Sequence, residues 1–416
     1  MKHIIQTLTA LYVLFALCSC RSNTSTNNTK PIDSLNFKYA KYIKVYRYEN
    51  YRKAVLANPW KDGAVLHTYI IPNDSTADVS GVDGTFIRKP SERAAIFSSV
   101  HCGLLSMLGE LGRIGGVCDA QYMNLPDVQE LIKDGKIKDF GNGMNPNIEQ
   151  IITSKTDLLM VSPFEGNTSY GKIEQIGIPI VECADYAEVS AIARAEWMRF
   201  YGILFGCERK ADSLFSVVEK NYFTLKKKVA KTKTKPTILA GLMYQGVWYT
   251  PGGNSTNGQL FSDAGFEYPF KHQEEMSKPL SFEQVLSKSK DADVWVVYHD
   301  SPFSYRQMLG ENAKYSQFKA FADRKVYNAS TSELIYIEAP FRPDIMLKDL
   351  AAVIAENVGR KVVFEIPNAT EAAGFSKATK ARLDSTKLKS LGWQSMYDIE
   401  TGVSRTLKIL RSMRGD

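Results

Sequence analysis

Five histidines, six cysteines and a few glycine clusters carry most of the chemistry that this 416-residue chain could perform. The histidines are His3, His67, His101, His272 and His299, and no two stand four apart or share a loop. A directly bound zinc or manganese ion needs several converging imidazoles or carboxylates. No metal site of the chain's own is therefore expected, and a metal would have to arrive with its own ligands. His101 could reach the iron of a haem, or it could be a buried, hydrogen-bonded histidine. Among the cysteines, Cys102, Cys118, Cys183 and Cys207 form no C-x-x-C pair, so neither a zinc knuckle nor a dithiol redox site is indicated. They read as small buried hydrophobes, with a Cys102–Cys118 disulfide left open. Gly109, Gly112 and Gly115 have dinucleotide-fingerprint spacing, but the helix stands before them and the strand after, the reverse of what a pyrophosphate site requires. The Gly252–Gly258 loop lacks the lysine of a P-loop, and Tyr315 with Lys319 has the spacing of a dehydrogenase pair but no nucleotide-binding unit ahead of it. No catalytic residue, no cofactor and no enzymatic activity are expected.

The elements that must position these residues are alternating β and α units. Short apolar runs at 94–97, 114–117, 158–161 and 178–181 predict the strands of a first lobe (91–187), and 237–240, 294–297 and 325–327 those of a second (231–358). Residues 188–230 between them are free of proline, with Trp197, Tyr201 and Leu204 at helical spacing. They predict one long joining helix, bent at most once at Gly206, or else the core helix of a single large domain. Ahead of the lobes, residues 36–90 alternate β-branched and aromatic residues and predict two or three strands. The fold class is thus α/β, with two Rossmann-like lobes, a β-rich extension and a small α/β tail. Open α/β sheets bind ligands outside the carboxyl ends of their strands. Those positions hold Ser99 and His101, Tyr122, Phe164, Tyr249, Tyr298 with His299, and Phe341 with Arg342. The set is aromatic and sparsely charged, suited to a large, partly apolar ring with a few polar anchors. Each aromatic could equally belong to a lobe core.

Several motifs in order, Ser98–Gly109, Asn145–Ile152, Arg194–Trp197, Leu280–Leu286 and Arg342–Asp344, resemble those of the helix-linked periplasmic binding proteins that serve siderophore, haem and cobalamin importers. The resemblance spans about residues 93–344. It implies capture of a metal chelate, delivery to an ABC permease and its ATPase subunits, and a monomer. In that family, glutamates on the lobe tops meet arginines of the permease, which assigns Glu149 and Glu283 to docking. Each also opens a helix, where the dipole alone favours an acid. With 23% charged residues and a net charge of +7, nucleic acid is not expected as a partner.

The two ends carry separate signals. Residues 4–17 are apolar but too short and too interrupted for a membrane span, and Leu17-Cys18-Ser19-Cys20 resembles a lipobox. Cleavage would leave Cys20 as a lipidated first residue, followed by a polar tether (21–35), in a protein facing the periplasm and anchored to a bacterial membrane. Ordinary cleavage with a free Cys20 thiol is the alternative. At the other end, Asp384, Lys387, Leu388, Leu391, Gly392 and Trp393 resemble the end of nucleotide-sugar epimerases and dehydratases. Residues 359–416 are read as a fused fragment of such a domain. The rival functions are a carbohydrate-binding lipoprotein and, judged by the tail, a nucleotide-sugar enzyme.

Overall fold

Runs such as Leu158–Val161 and Val294–Val297, apolar at every position, suit strands covered on both faces, and all their residues are buried. The computed structural model describes residues 30–88, 90–167, 169–270, 277–299, 304–329 and 337–357, the side chains of the last two excepted. The stretch read as a signal sequence, Cys20 and the segment from 359 onward lie outside the described residues.

The N-terminal region holds more strands than expected. β1 (Asp33–Leu35), β2 (Ile43–Arg47), β3 (Tyr51–Ala57), β4 (Val65–Pro72) and β5 (Thr85–Phe86) form one sheet in that order. β1 to β4 are antiparallel and β5 is parallel to β4. β1 begins inside the stretch read as tether, where Asp33 pairs with Arg47 across the strands.

The first lobe comprises β6 (Ala94–Ile96), α1 (Ser99–Met107), β7 (Ile114–Val117), α2 (Pro126–Lys133), β8 (Lys138–Asp139), α3 (Ile148–Thr153), β9 (Leu158–Val161) and β10 (Ile180–Glu182). Its sheet is wholly parallel, ordered β10-β9-β6-β7-β8. Gly116 is required within β7, since a Cβ there would lie 2.3 Å from the Phe140 ring.

The joining segment is not one helix. It is α4 (Ala191–Glu196), α5 (Met198–Leu204) and the 22-residue α6 (Glu208–Val229). Gly206, at φ +67°, ends α5 rather than bending it: the Gly206 and Cys207 amides donate back to the Ile203 and Gly202 carbonyls at 3.3 and 2.8 Å. α6 then packs against α5, where a Cβ on Gly202 would stand 2.5 Å from that of Ala211.

In the second lobe β11 (Ile238–Ala240), β15 (Val294–Val297) and β16 (Val326–Asn328) form a parallel sheet. A smaller antiparallel sheet, absent from the sequence reading, comprises β12 (Met243–Tyr244), β13 (Val247–Thr250) and β14 (Lys278–Leu280). The helices are α7 (Thr256–Asp263), α8 (Phe282–Ser289), α9 (Tyr305–Glu311), α10 (Lys319–Ala322) and α11 (Pro343–Asn357). The core centres on Trp248 stacked on Trp295 at 5.6 Å, with Tyr315 and Phe318 edge-on to Trp248. α11 returns to α6, where Asn221 donates to Asp344 at 3.1 Å.

Candidate functional site

The carboxyl edge of the first lobe's sheet opens into a cleft of about 390 Å³, lined by Ser98, His101, Ser162, Pro163, Phe164, Asp185, Tyr186 and Arg194. Three strand ends build it. Ser98 follows β6 and immediately precedes α1, Ser162 to Phe164 follow β9, and Asp185 and Tyr186 lie in the turn after β10. Arg194 enters from α4.

Asp185 organises the floor. It is buried and accepts hydrogen bonds from Arg194 Nε at 3.0 Å and Tyr201 Oη at 2.7 Å, and its Oδ1 lies 3.0 Å from His101 Nε2. Burial would raise the Asp185 pKa, but the His101 and Arg194 charges and the hydrogen bonds outweigh it and hold it at about 2. Burial would likewise lower that of His101, and its neighbours Cys183 and Asp185 reverse this and push it up to about 10. Asp185 is thereby paired with the Arg194 guanidinium on one oxygen and with His101 and Tyr201 on the other. With its Nε2 committed to Asp185, His101 fits the buried, hydrogen-bonded alternative. Above this floor stand Phe164, 55% exposed, and Tyr186, whose hydroxyl donates to the Pro163 carbonyl.

The other expected ligand residues divide. Tyr122 and Tyr249 are 67% and 51% exposed, each near the carboxyl end of a strand of its own lobe. Tyr244 shares the face of the small sheet that carries Tyr249, opposite the buried Trp248, and is 67% exposed; the hairpin that places it has no clear signal in the sequence. Ser99 is half-buried in the first turn of α1, and Ser98 lines the cleft in its place. Tyr298 is half-buried against the core, and the neighbouring His299 lies 3.0 Å from Glu311. Phe341 and Arg342 require correction. Phe341 is wholly buried and packs edge-on against Tyr201, with its ring centre 6.2 Å from that of His101. Arg342 is turned inward onto Asp344 through two bonds of 2.9 and 3.0 Å at the start of α11. Neither lines the cleft: Phe341 packs behind its floor, and Arg342 is engaged at the start of α11.

Asp185, Tyr186 and Arg194 were not among the expected residues. The sequence reading ended β10 at Val181, whereas the strand runs to Glu182. The Ala184-Asp185-Tyr186 turn directly after it was the available signal.

Glu149 and Glu283 are exposed in the first turns of α3 and α8. α3 returns the chain between the parallel strands β8 and β9, so Glu149 stands at the carboxyl edge of its sheet; α8, which carries Glu283, follows β14 of the small antiparallel sheet and leads into β15. The caps are supplied by other residues, Asn147 for α3 and the reciprocal Ser281–Gln284 pair for α8. Glu283 lies 3.1 Å from Lys314. All four described cysteines are buried and unbridged, so the Cys102–Cys118 disulfide is not formed.

A smaller cavity of about 260 Å³ lies between the N-terminal sheet and α5–α6. Its Arg47, Arg52 and Arg199 are each paired with a carboxylate, which leaves no excess charge to receive a ligand.

The chain matches the periplasmic binding protein family over residues 95–331, and it belongs to that family. It is 26% identical over 375 residues to an uncharacterized lipoprotein of Methanocaldococcus jannaschii, covering 82% of this chain and 88% of that one. It is 24% identical over 285 residues to the iron-uptake system-binding protein of Bacillus subtilis, covering 66% and 86%. Among solved structures, a periplasmic binding protein from Veillonella parvula superposes with a TM-score of 0.52 at 17% identity, covering 66% of this chain and 93% of that one. A possible iron-binding periplasmic solute-binding protein from Staphylococcus epidermidis gives 0.50 at 20%, covering 64% and 99%. Both likenesses are of fold.

Proposed function

We propose that the protein is the lipid-anchored receptor of an ABC importer and captures a metal chelate, a ferric siderophore, haem or cobalamin, for delivery to a membrane permease. The observation that carries this reading is the cleft itself, with aromatic walls at Phe164 and Tyr186 over a polar floor built from His101, Asp185 and Arg194. Apolar rings would lie against the walls, and oxygen anions of the chelate would meet the guanidinium. Tyr122, Tyr244 and Tyr249 would extend the apolar surface for a bulky ligand.

Delivery would use Glu149 and Glu283 as paired contacts for basic residues of the permease. The name of the Bacillus subtilis relative supports iron as cargo, and the archaeal relatives named as lipoproteins support Cys20 as the anchor. A thermal-shift screen of haem, cyanocobalamin and ferric siderophores against UDP-sugars with NAD tests the reading. A ligand at ~100 times its Kd adds about 2.7 kcal/mol of stability. Stabilisation by a UDP-sugar with NAD, and by no chelate, would refute it.

A further inference from the structure

Between β1 and β2 the chain crosses the joining helices as an irregular strap whose amides have no strand to pair with. Five in succession are received by two buried carboxylates. Glu196, 0% exposed, accepts from the Lys38, Tyr39 and Ala40 amides at 2.8, 2.7 and 2.9 Å. Glu188, 2% exposed, accepts from the Lys41 and Tyr42 amides at 3.0 Å and from Trp197 Nε1 at 2.9 Å. A carboxylate buried this deeply is tolerable only when hydrogen-bonded, so strap and carboxylates depend on each other.

The two glutamates bracket α4. Glu196 is its last residue, and Glu188 lies two residues before its cap, Ser190. A six-residue helix has little stability of its own, and its position is set by what holds it. Arg194 lies between the two grips. The Glu188 carbonyl also accepts from Thr256 Oγ1 at 2.8 Å, which ties the same point to the first turn of α7 in the second lobe. Tyr39 extends the hold to α6, bonding Glu219 and stacking on Phe223. The strap and its sheet lie outside the residues matched by the family.

We propose that Glu188 and Glu196 are positioning residues of the ligand site: by gripping the strap at 38–42 they fix α4, and with it the Arg194 guanidinium on the cleft floor. This rests on the reading of the cleft as the ligand site. The N-terminal sheet is then part of the binding machinery.

Glu196→Gln keeps the side-chain volume but turns a donor towards backbone N–H groups. Hydrogen–deuterium exchange of the ligand-free protein should show faster exchange at 38–40 and also at 191–198. Faster exchange at 38–40 with 191–198 unchanged would overturn the proposal. In titrations with ferric tris(2,3-dihydroxybenzoate), Glu196→Gln and Arg194→Gln should each weaken binding about tenfold, and the double variant should be no weaker than Arg194→Gln, because both act through one group. Additive losses would overturn the proposal. A wild-type protein that ignores this chelate counts against the ligand class, while the exchange result still decides whether the strap holds α4.

Discussion

Asp185 carries more of the cleft's chemistry than any other single residue, because three side chains from three elements converge on it. Removing one partner of a buried ion pair typically costs about 3–5 kcal/mol, since the remaining charge is left buried and unpaired. Asp185→Asn should therefore lower stability in urea by that order. The pair should also shape the pH profile. The Asp185 pKa is lowered from 3.8 to about 2, so its contribution is full above 3.8 and is lost as pH falls towards 2. That of His101 is raised from 6.5 to about 10, so its contribution is full below 6.5 and is lost as pH rises towards 10. These are two limbs of one interaction. Melting temperature measured from pH 2 to 10 should fall on both limbs in the wild type and fall less in Asp185→Asn; parallel profiles would show that the pair is not the cause. His101 was legible in the sequence because it follows a clear strand, β6. Asp185 was not, because an apolar run marks the middle of a strand better than its last residue. Phe341 and Arg342 were misassigned for a related reason: side-chain type does not say whether a residue lines a cleft or supports its floor.

At the scale of elements, helix starts were well marked and helix ends were not. Asn147 and Ser281 cap α3 and α8, and both glutamates fall in first turns, as their sequence neighbours imply. Combined Glu149→Ala and Glu283→Ala should leave chelate affinity nearly unchanged and impair transport with the permease. Lost chelate binding with intact transporter association would remove the docking assignment. The joining segment reads as one helix because it holds no proline and a lone glycine, Gly206, can be a bend as well as a stop; only its left-handed backbone conformation reveals the stop. Close packing of α5 on α6 at Gly202 is a second consequence that spacing does not reveal. Gly202→Ala should destabilise the protein by about 1–3 kcal/mol through overpacking, read as a lower urea midpoint. An unchanged midpoint would mean that the two helices part without cost.

Across the whole molecule, the two lobes and their parallel sheets followed from the alternation of apolar runs and helical stretches. The N-terminal sheet was only partly foreseen, because its short outer strands β1 and β5 carry almost no periodicity and are held by their partners. What the sequence could not show is convergence: Arg194, Asp185 and His101 come from the short helix α4, the turn after β10 and α1, elements far apart in the chain. The central claim is that this convergence, with Phe164 above it, captures a metal chelate. Calorimetric titration of the protein and of a Phe164→Ala, Arg194→Gln variant with haem, cyanocobalamin and ferric tris(2,3-dihydroxybenzoate) tests it most directly. The account predicts that at least one chelate binds the wild type one-to-one and that the variant binds it at least tenfold more weakly while remaining folded. Binding of none of the three, or equal binding by both proteins, would contradict it.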